Sequence, residues 1–414
     1  MLTTSATRFR SCVDTRHRNL VLISSALALS TVLVSGTLQA AEYIASVFAS
    51  ELHNPRGLAF SSDGALYIAE AGIPGGPGPS TPIRGIENVY TESGSVTRVS
   101  GGVQTRVTIG LPSLYSTETG ETSGPNDVTF DANGNLHVTI GAGVDPAVRS
   151  TDLAPNGIGL GTIRFSGGTY DVANHEALNN PAGGPVDSNP WRTVAHAGGL
   201  LVTDAGANAL LNVAPDGTVS TITTFPGRDT GGGFPSDAVP TGLAVGPDGN
   251  FYVGQLTGFP FVPGSAQIFA VQPDGTTTVA ATGFTHISAL AFGGDGSLFV
   301  LEYDSNGLFV PGDSGALIRI DPNGQRETIF SDGLVNPTGL AVGPDGALYV
   351  SSVGNSGSQG KVLRIAPVPE PETYALVLGG LTLVGLAAGR KKRQRSSHAH
   401  PQPTPARRGS FHRA

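Results

Sequence analysis

Residues 336–350 read NPTGLAVGPDGALYV, and the chain restates that phrase five more times. An apolar run, a Pro-Asp-Gly turn and a second apolar run specify one β-hairpin, because Asp-Gly accepts the backbone conformation a tight turn needs. Clear copies stand at residues 54–68 (NPRGLAFSSDGALYI), 124–138 (GPNDVTFDANGNLHV), 239–253 (VPTGLAVGPDGNFYV) and 286–300 (HISALAFGGDGSLFV), and a weaker one at 189–202 (NPWRTVAHAGGLLV). The turn glycines Gly64, Gly134, Gly198, Gly249, Gly296 and Gly346 are spaced by 70, 64, 51, 47 and 50 residues, so the first two gaps carry extra loop. A second hairpin follows at residues 208–225, 266–280 and 315–330, which makes four short antiparallel strands per unit. One small sheet cannot bury both faces alone and must stack on its neighbours around an axis, which is the β-propeller solution. The pattern therefore predicts an all-β, six-bladed propeller over residues 41–367. The last unit supplies only three strands, whereas YIASVFAS at residues 43–50 alternates like a strand and has no partner in its own unit. It is predicted to close the ring as the outer strand of the last blade.

The ends are of a different character. Arg8, Arg10, Arg16 and Arg18 precede an uncharged apolar run at residues 20–34 and a small-residue stretch ending at Ala40 and Ala41. That is the order of a secretory signal peptide, assigned to residues 1–40, which implies passage through the Sec translocon. The single cysteine, Cys12, falls inside it, so the mature chain has neither a disulfide nor a catalytic thiol. Stability must then come from buried area, which a closed ring of about 330 residues can supply. Residues 41–368 hold 12 Lys and Arg against 29 Asp and Glu, a net charge of −17. An acidic body excludes nucleic acid as a partner, since that needs a positive footprint, and suits cations or neutral ligands.

At the far end VPEPE (residues 368–372) is followed by an apolar run at 374–388, a predicted short transmembrane helix, and the basic cluster Arg390, Lys391, Lys392 and Arg393. This three-part pattern, residues 368–393, resembles a PEP-CTERM sorting signal with Pro369, Glu370 and Pro371 as the motif. The resemblance implies a Gram-negative bacterium and recognition by an exosortase while the chain is held transiently in the inner membrane. Release or attachment at the cell surface or in the exopolysaccharide matrix would follow. Residues 394–414 are rich in Pro, Arg, His and Ser and are predicted to be a disordered basic tail.

Repeat phase locates a candidate site. In an antiparallel blade the start of strand one and the end of strand two share a face. The first position gives Arg56, Asn126, Trp191, Thr241, Ser288 and Thr338; the second gives Glu70, Ile140, Asp204, Gln255, Glu302 and Ser352. Arg56, Glu70, Asn126, Asp204, Gln255 and Glu302 are thus expected to ring one mouth of the channel, with Glu70, Asp204 and Glu302 in alternate blades. Converging oxygens suit a hard cation, so Glu70, Asn126 and Asp204 are the candidate ligands for Ca²⁺ or Zn²⁺. Such an ion could polarise a carbonyl or activate water. GPNDVTFDANGNLHV is similar to the Asn-Asp-Gly segment of the gluconolactonase and senescence-marker family, which implies that Asn126 helps hold metal and substrate; Gly124 and Val128 depart from that pattern. The Asp-Gly pairs elsewhere lack the alternating acids of a calcium loop and read as turns. The histidines of the body, His53, His137, His175, His196 and His286, have no metal-ligand spacing. No nucleophile elbow, Walker loop or dinucleotide fingerprint is present, so no catalytic residue is assigned. Insertions at residues 72–94 and 141–161, and the stretch 170–190, are expected to gather on the same mouth, where ligand binding on a rigid ring usually resides.

Four longer phrases, NPRGLAFSSDGALYIAEAG, HEALNNPAGGPVDSNPW, LLVTDAGANALLNV and YVGQLTGFPFVPGSAQIFAV, together resemble the ScyD/ScyE family of exported propellers. The resemblance spans residues 43–365, and Gln255 stands where the family phrase has Glu. It implies the propeller fold and export but no established catalytic set. Two functions stay open: a surface or matrix protein that binds a small molecule, exopolysaccharide or partner at its loop-bearing mouth, and a metal-assisted, lactonase-like hydrolase or secondary-metabolite biosynthetic enzyme.

Overall fold

A computed structural model describes residues 42–368 except 232, 311, 313 and 354–358. The signal peptide, Pro369, Glu370, Pro371, the apolar run at 374–388 and the tail at 394–414 lie outside the described residues. Among the described residues no helix is long and apolar enough to cross a membrane.

The six repeats form six antiparallel sheets. Their inner strands are Pro55–Phe60, Pro125–Phe130, Pro190–His196, Pro240–Val245, Ile287–Phe292 and Gly339–Val342, one for each copy of the hairpin phrase. At the hairpin tips the aspartate of the turn accepts the N–H two residues on, as Asp345 does from Ala347 at 3.2 Å and Asp295 from Ser297 at 3.0 Å. These aspartates are engaged in turn geometry, as the sequence predicted.

Alternation within each strand puts one row of side chains on each face of the blade, and stacking buries both. Six apolar clusters result, one per blade interface. Ile68 and Leu58 of blade one meet Tyr349 and Val362 of blade six, for example, and Leu201 and Phe225 of blade three meet Leu243 and Val253 of blade four. Tyr43–Leu52 pairs with Gly360–Pro367 as the outer strand of blade six, so the first and last strands share a sheet. Leu52, fully buried, joins the interface between blades six and one. Closure matters physically because it removes the ring's two open edges.

Blade one departs most from the repeat. Its third and fourth strands, Ile86–Ser100 and Val103–Ser116, run past the blade, and Ser80–Ile83 and Thr122–Ser123 pair with the extension. Blade two carries two short 3-10 helices in its insertion, and the helix Ala173–Asn179 follows its last strand. The termini of the ring are on the other side. Tyr43 pairs with Pro367, and Ile365 with Leu348 beside the Gly346 turn, whereas the mouth end of the same blade holds Leu52, Ser352 and Gly360.

Candidate functional site

The inner strands of blades one to five bulge at their first residues: in blade two the pairing steps from Pro125↔Ile140 to Asp127↔Thr139, and in blade three from Pro190↔Asp204 to Arg192↔Thr203. A bulge re-aims side chains. Here it brings together the residues that follow the predicted positions in blades one, two and three: Gly57, Asp127 and Arg192. Arg192 of blade three donates Nη1 to Asp127 Oδ1 of blade two at 2.8 Å and Nη2 to the Thr338 carbonyl of blade six at 2.9 Å. Thr193 N–H holds the other Asp127 oxygen at 2.8 Å. Since blades three and six face each other, the guanidinium crosses the axis and plugs it. The position in blade one must be small: a Cβ at Gly57 would sit 1.8 Å from Asp127 Oδ1 and 2.6 Å from Arg192 Nη1. Burial pushes the Asp127 carboxyl up from its ordinary range, against the pull of Arg192.

The predicted ring of acids does not form. Glu70 accepts hydrogen bonds from His53 N–H at 2.6 Å, Ser95 Oγ at 3.1 Å, the Thr97 hydroxyl, and Arg106 at 3.1 Å. Asp204 takes Ser188 Oγ at 2.7 Å and the N–H groups of Asn189, Gly206 and Ala207. Glu302 takes Thr285 N–H at 2.7 Å with Arg326 at 3.7 Å, Gln255 takes Gln267 N–H at 3.1 Å, and Ser352 takes Val335 N–H at 3.0 Å. Each of these five end-of-strand-two residues pins backbone within its own blade, while the sixth, Ile140, packs in the core. Among the described residues no group of three or more His, Cys, Asp or Glu is arranged to hold a metal ion. Asp204 has two acidic neighbours of its own: burial and the Asp204 charge push Glu176 up to about 7 and Asp187 up to about 6.

The start-of-strand-one residues have a different job. Asn126 donates to the Pro190 carbonyl at 2.9 Å, Thr241 to Ile287, Ser288 to Pro337 at 2.8 Å and Thr338 to Pro55 at 2.8 Å. Each stitches its blade to the next. Blades one and three break the rule, and their residues meet: the Arg56 guanidinium stands 5.1 Å from the centroid of the Trp191 ring.

Those two residues line a cavity of about 170 Å³. Ile83, Asn88, Leu114 and Ser116 of the blade-one extension form one wall, Glu121, Thr122 and Ser123 another, and Ala142, Gly143 and Asn189 the far side. Of the residues singled out from sequence, Arg56 therefore faces a cavity, Asn126 braces its Asn189 at 3.2 Å, and Glu70, Asp204, Gln255 and Glu302 stand outside its lining. Asp127 and Arg192 were missed, although the set Gly, Asp, Arg, Gly, Ala, Gly at one repeat position is itself a signal of a filled axis.

Residues 367–393 match the PEP-CTERM protein-sorting motif. The chain is thus an exported, exosortase-processed protein sorted to the cell surface. No curated protein matches the chain in sequence. Among solved structures it is similar to an inactivated virginiamycin B lyase from Staphylococcus aureus with quinupristin, at 15% identity, TM-score 0.45 and coverage of 79% of this chain and 100% of that one. Regucalcin, a calcium-binding protein from Agrobacterium tumefaciens, is similar at 12% identity and TM-score 0.45, over 79% of this chain and 94% of that one.

Proposed function

We propose that this protein is an exported, surface-displayed binding protein that holds a small molecule in the cavity at the mouth of the propeller. The observation that carries this reading is where the sequence departs from its own repeat. The extension of blade one and the insertion of blade two, which the other blades do not have, supply most of the cavity wall. The resemblance to exported ScyD/ScyE propellers is taken with it. Display follows from topology: Tyr43 and Pro367 leave the ring at the hairpin-tip face, opposite the cavity, so a chain tethered by the segment after Pro367 presents its mouth outward. Sec export through residues 1–40 and transient inner-membrane anchoring by residues 368–393 complete the proposed route.

Trp191 is the only tryptophan of the chain and lines the cavity, so its emission reports occupancy. Titrating the full chain with a panel of monosaccharides, amino acids, organic acids and exopolysaccharide fragments is expected to give a saturable shift for at least one class. A flat response across the panel overturns the binding reading. Fractionation of cells with and without the exosortase checks the sorting: an unchanged size and location would contradict it.

A further inference from the structure

We propose that the cavity takes a compact monocarboxylate, its carboxylate received by Arg56 and its uncharged remainder laid against Trp191. The inference rests on the binding reading above and names the class of ligand.

Three arginines of the ring are buried, and two of them are neutralised: Arg149 by Asp171 at 2.8 Å and Arg192 by Asp127 at 2.8 Å. Arg56 is only 4% exposed, and among the described residues no carboxylate lies within ion-pair distance of it. It spends Nη2 on the Thr122 carbonyl at 2.7 Å, and its Nε has no partner. A buried cation without a counter-charge is costly, and the cost is relieved by an anion that arrives already able to accept from the guanidinium fork. The surroundings offer donors. Trp191 Nε1 and Ser123 Oγ are both buried without partners, and both residues line the cavity.

Charge around the site limits the anion to one unit. Burial lowers the basicity of Arg56, against the pull of Glu121, exposed at the rim, and of the Tyr303 hydroxyl; Arg192 lowers it further. With Asp127 already paired to Arg192, Arg56 has no direct ion-pair partner among the described residues and is offset only through space by Glu121, at the mouth of a body carrying 29 acids against 12 bases. A second negative group on the ligand would meet Glu121 and that acidic surface, so dicarboxylates and phosphates are disfavoured. Volume sets the size. At about 30 Å³ per water the cavity has room for roughly five or six waters, the scale of a hydroxy acid or one sugar-acid ring. The aromatic face suits an uncharged ring or alkyl body.

The test titrates the full chain with acetate, lactate and glucuronate against acetamide, lactamide and glucose at constant ionic strength, read by Trp191 emission. The acids are expected to shift the emission saturably and to bind at least tenfold more tightly than their uncharged counterparts. Succinate and phosphate should bind more weakly than lactate. Arg56→Met should abolish the preference for the acids, and Arg56→Lys, which keeps the charge, should retain part of it. Equal binding of acid and uncharged analogue by the wild-type chain overturns the inference while leaving the cavity a binding site. No shift with any of these compounds overturns the inference, and a flat response across the wider panel overturns the binding reading as well. The wild-type comparison decides the matter even where Arg56→Met does not fold.

Discussion

The axial plug makes the most direct claim on stability. Arg192 and Asp127 are 7% and 2% exposed at the side chain, lie 2.8 Å apart, and tie blades two and three to blade six through the Thr338 carbonyl. Removing one partner of such a pair leaves the other charge buried, which typically costs about 3–5 kcal/mol. Arg192→Met leaves Asp127 with the Thr193 N–H, and Asp127→Asn leaves Arg192 with the Thr338 carbonyl, so each single variant is expected near the lower end of that range. The double variant removes both charges and keeps most of the volume. It should lose less than the sum of the singles by at least ~2 kcal/mol, the coupling expected of two groups in one buried network. Gly57→Ala tests the same contact from blade one: its Cβ falls 1.8 Å from Asp127 Oδ1, and displacing the pair is expected to cost about 1–3 kcal/mol. Urea unfolding followed by Trp191 emission and by far-ultraviolet circular dichroism gives the four free energies. Single variants within about 0.5 kcal/mol of wild type, the spread of an ordinary surface change, or losses that simply add, would refute the plug as a structural lock.

Three further outcomes follow from the geometry. Glu176 and Asp187 stand at about 7 and about 6 in the fold, raised by burial and by Asp204 from ordinary values of 4.5 and 3.8, so the folded chain holds protons the unfolded chain releases. Their stabilisation is complete below pH ~4 and declines as pH rises to about 7, by at most ~3 kcal/mol for each; Glu176→Gln with Asp187→Asn should flatten a plot of melting temperature against pH over that window. Val239 occupies the left-handed region at φ 48°, where its repeat counterparts Asn54 and Asn336 stand at 53° and 42°. Because a β-branched side chain is poorly suited to that conformation, Val239→Asn should raise stability by about 1 kcal/mol in the same urea assay. Thermal melts with Ca²⁺, with Zn²⁺ and after chelation should superimpose if Glu70, Asp204 and Glu302 stay committed to their own blades, and a rise of several degrees with either ion would show that these carboxylates can be recruited.

The architecture was legible because it rests on period and turn chemistry. Six hairpin phrases gave six blades, Asp-Gly pairs gave the tips, and a strand-like segment without a partner at residues 43–50 gave the closure. Each signal is local, and the ring is built by repeating it. The closing strand was readable for a further reason: the last unit lacked one strand, and residues 43–50 had the alternation to replace it with no partner in their own unit. The direction of the insertions was legible too, since antiparallel strands fix which loops share a face. The content of the cavity was not, because the strand extension over residues 80–123 is set by pairings such as Tyr115↔Thr122 that no repeat encodes.

The candidate ring failed for a reason that propensity cannot show. Counting along an ideal strand makes residues 56 and 70 mouth-facing, but the bulge at the head of the inner strand in blades one to five shifts the phase by one, and in blades two and three it brings Asp127 and Arg192 together. The same bulge frees Asn126, Thr241 and Ser288 to reach the carbonyl of the following blade, and Thr338 does so from just ahead of its strand, so a position that repeats as a polar residue is explained by blade stitching. Arg56 and Trp191 then stand out. They occupy the stitching position without stitching in that way, one is a buried cation and the other the only tryptophan, and they come together beside the insertions. A repeat defines what each position owes the fold, so the residues that do not meet that obligation are the ones left for binding.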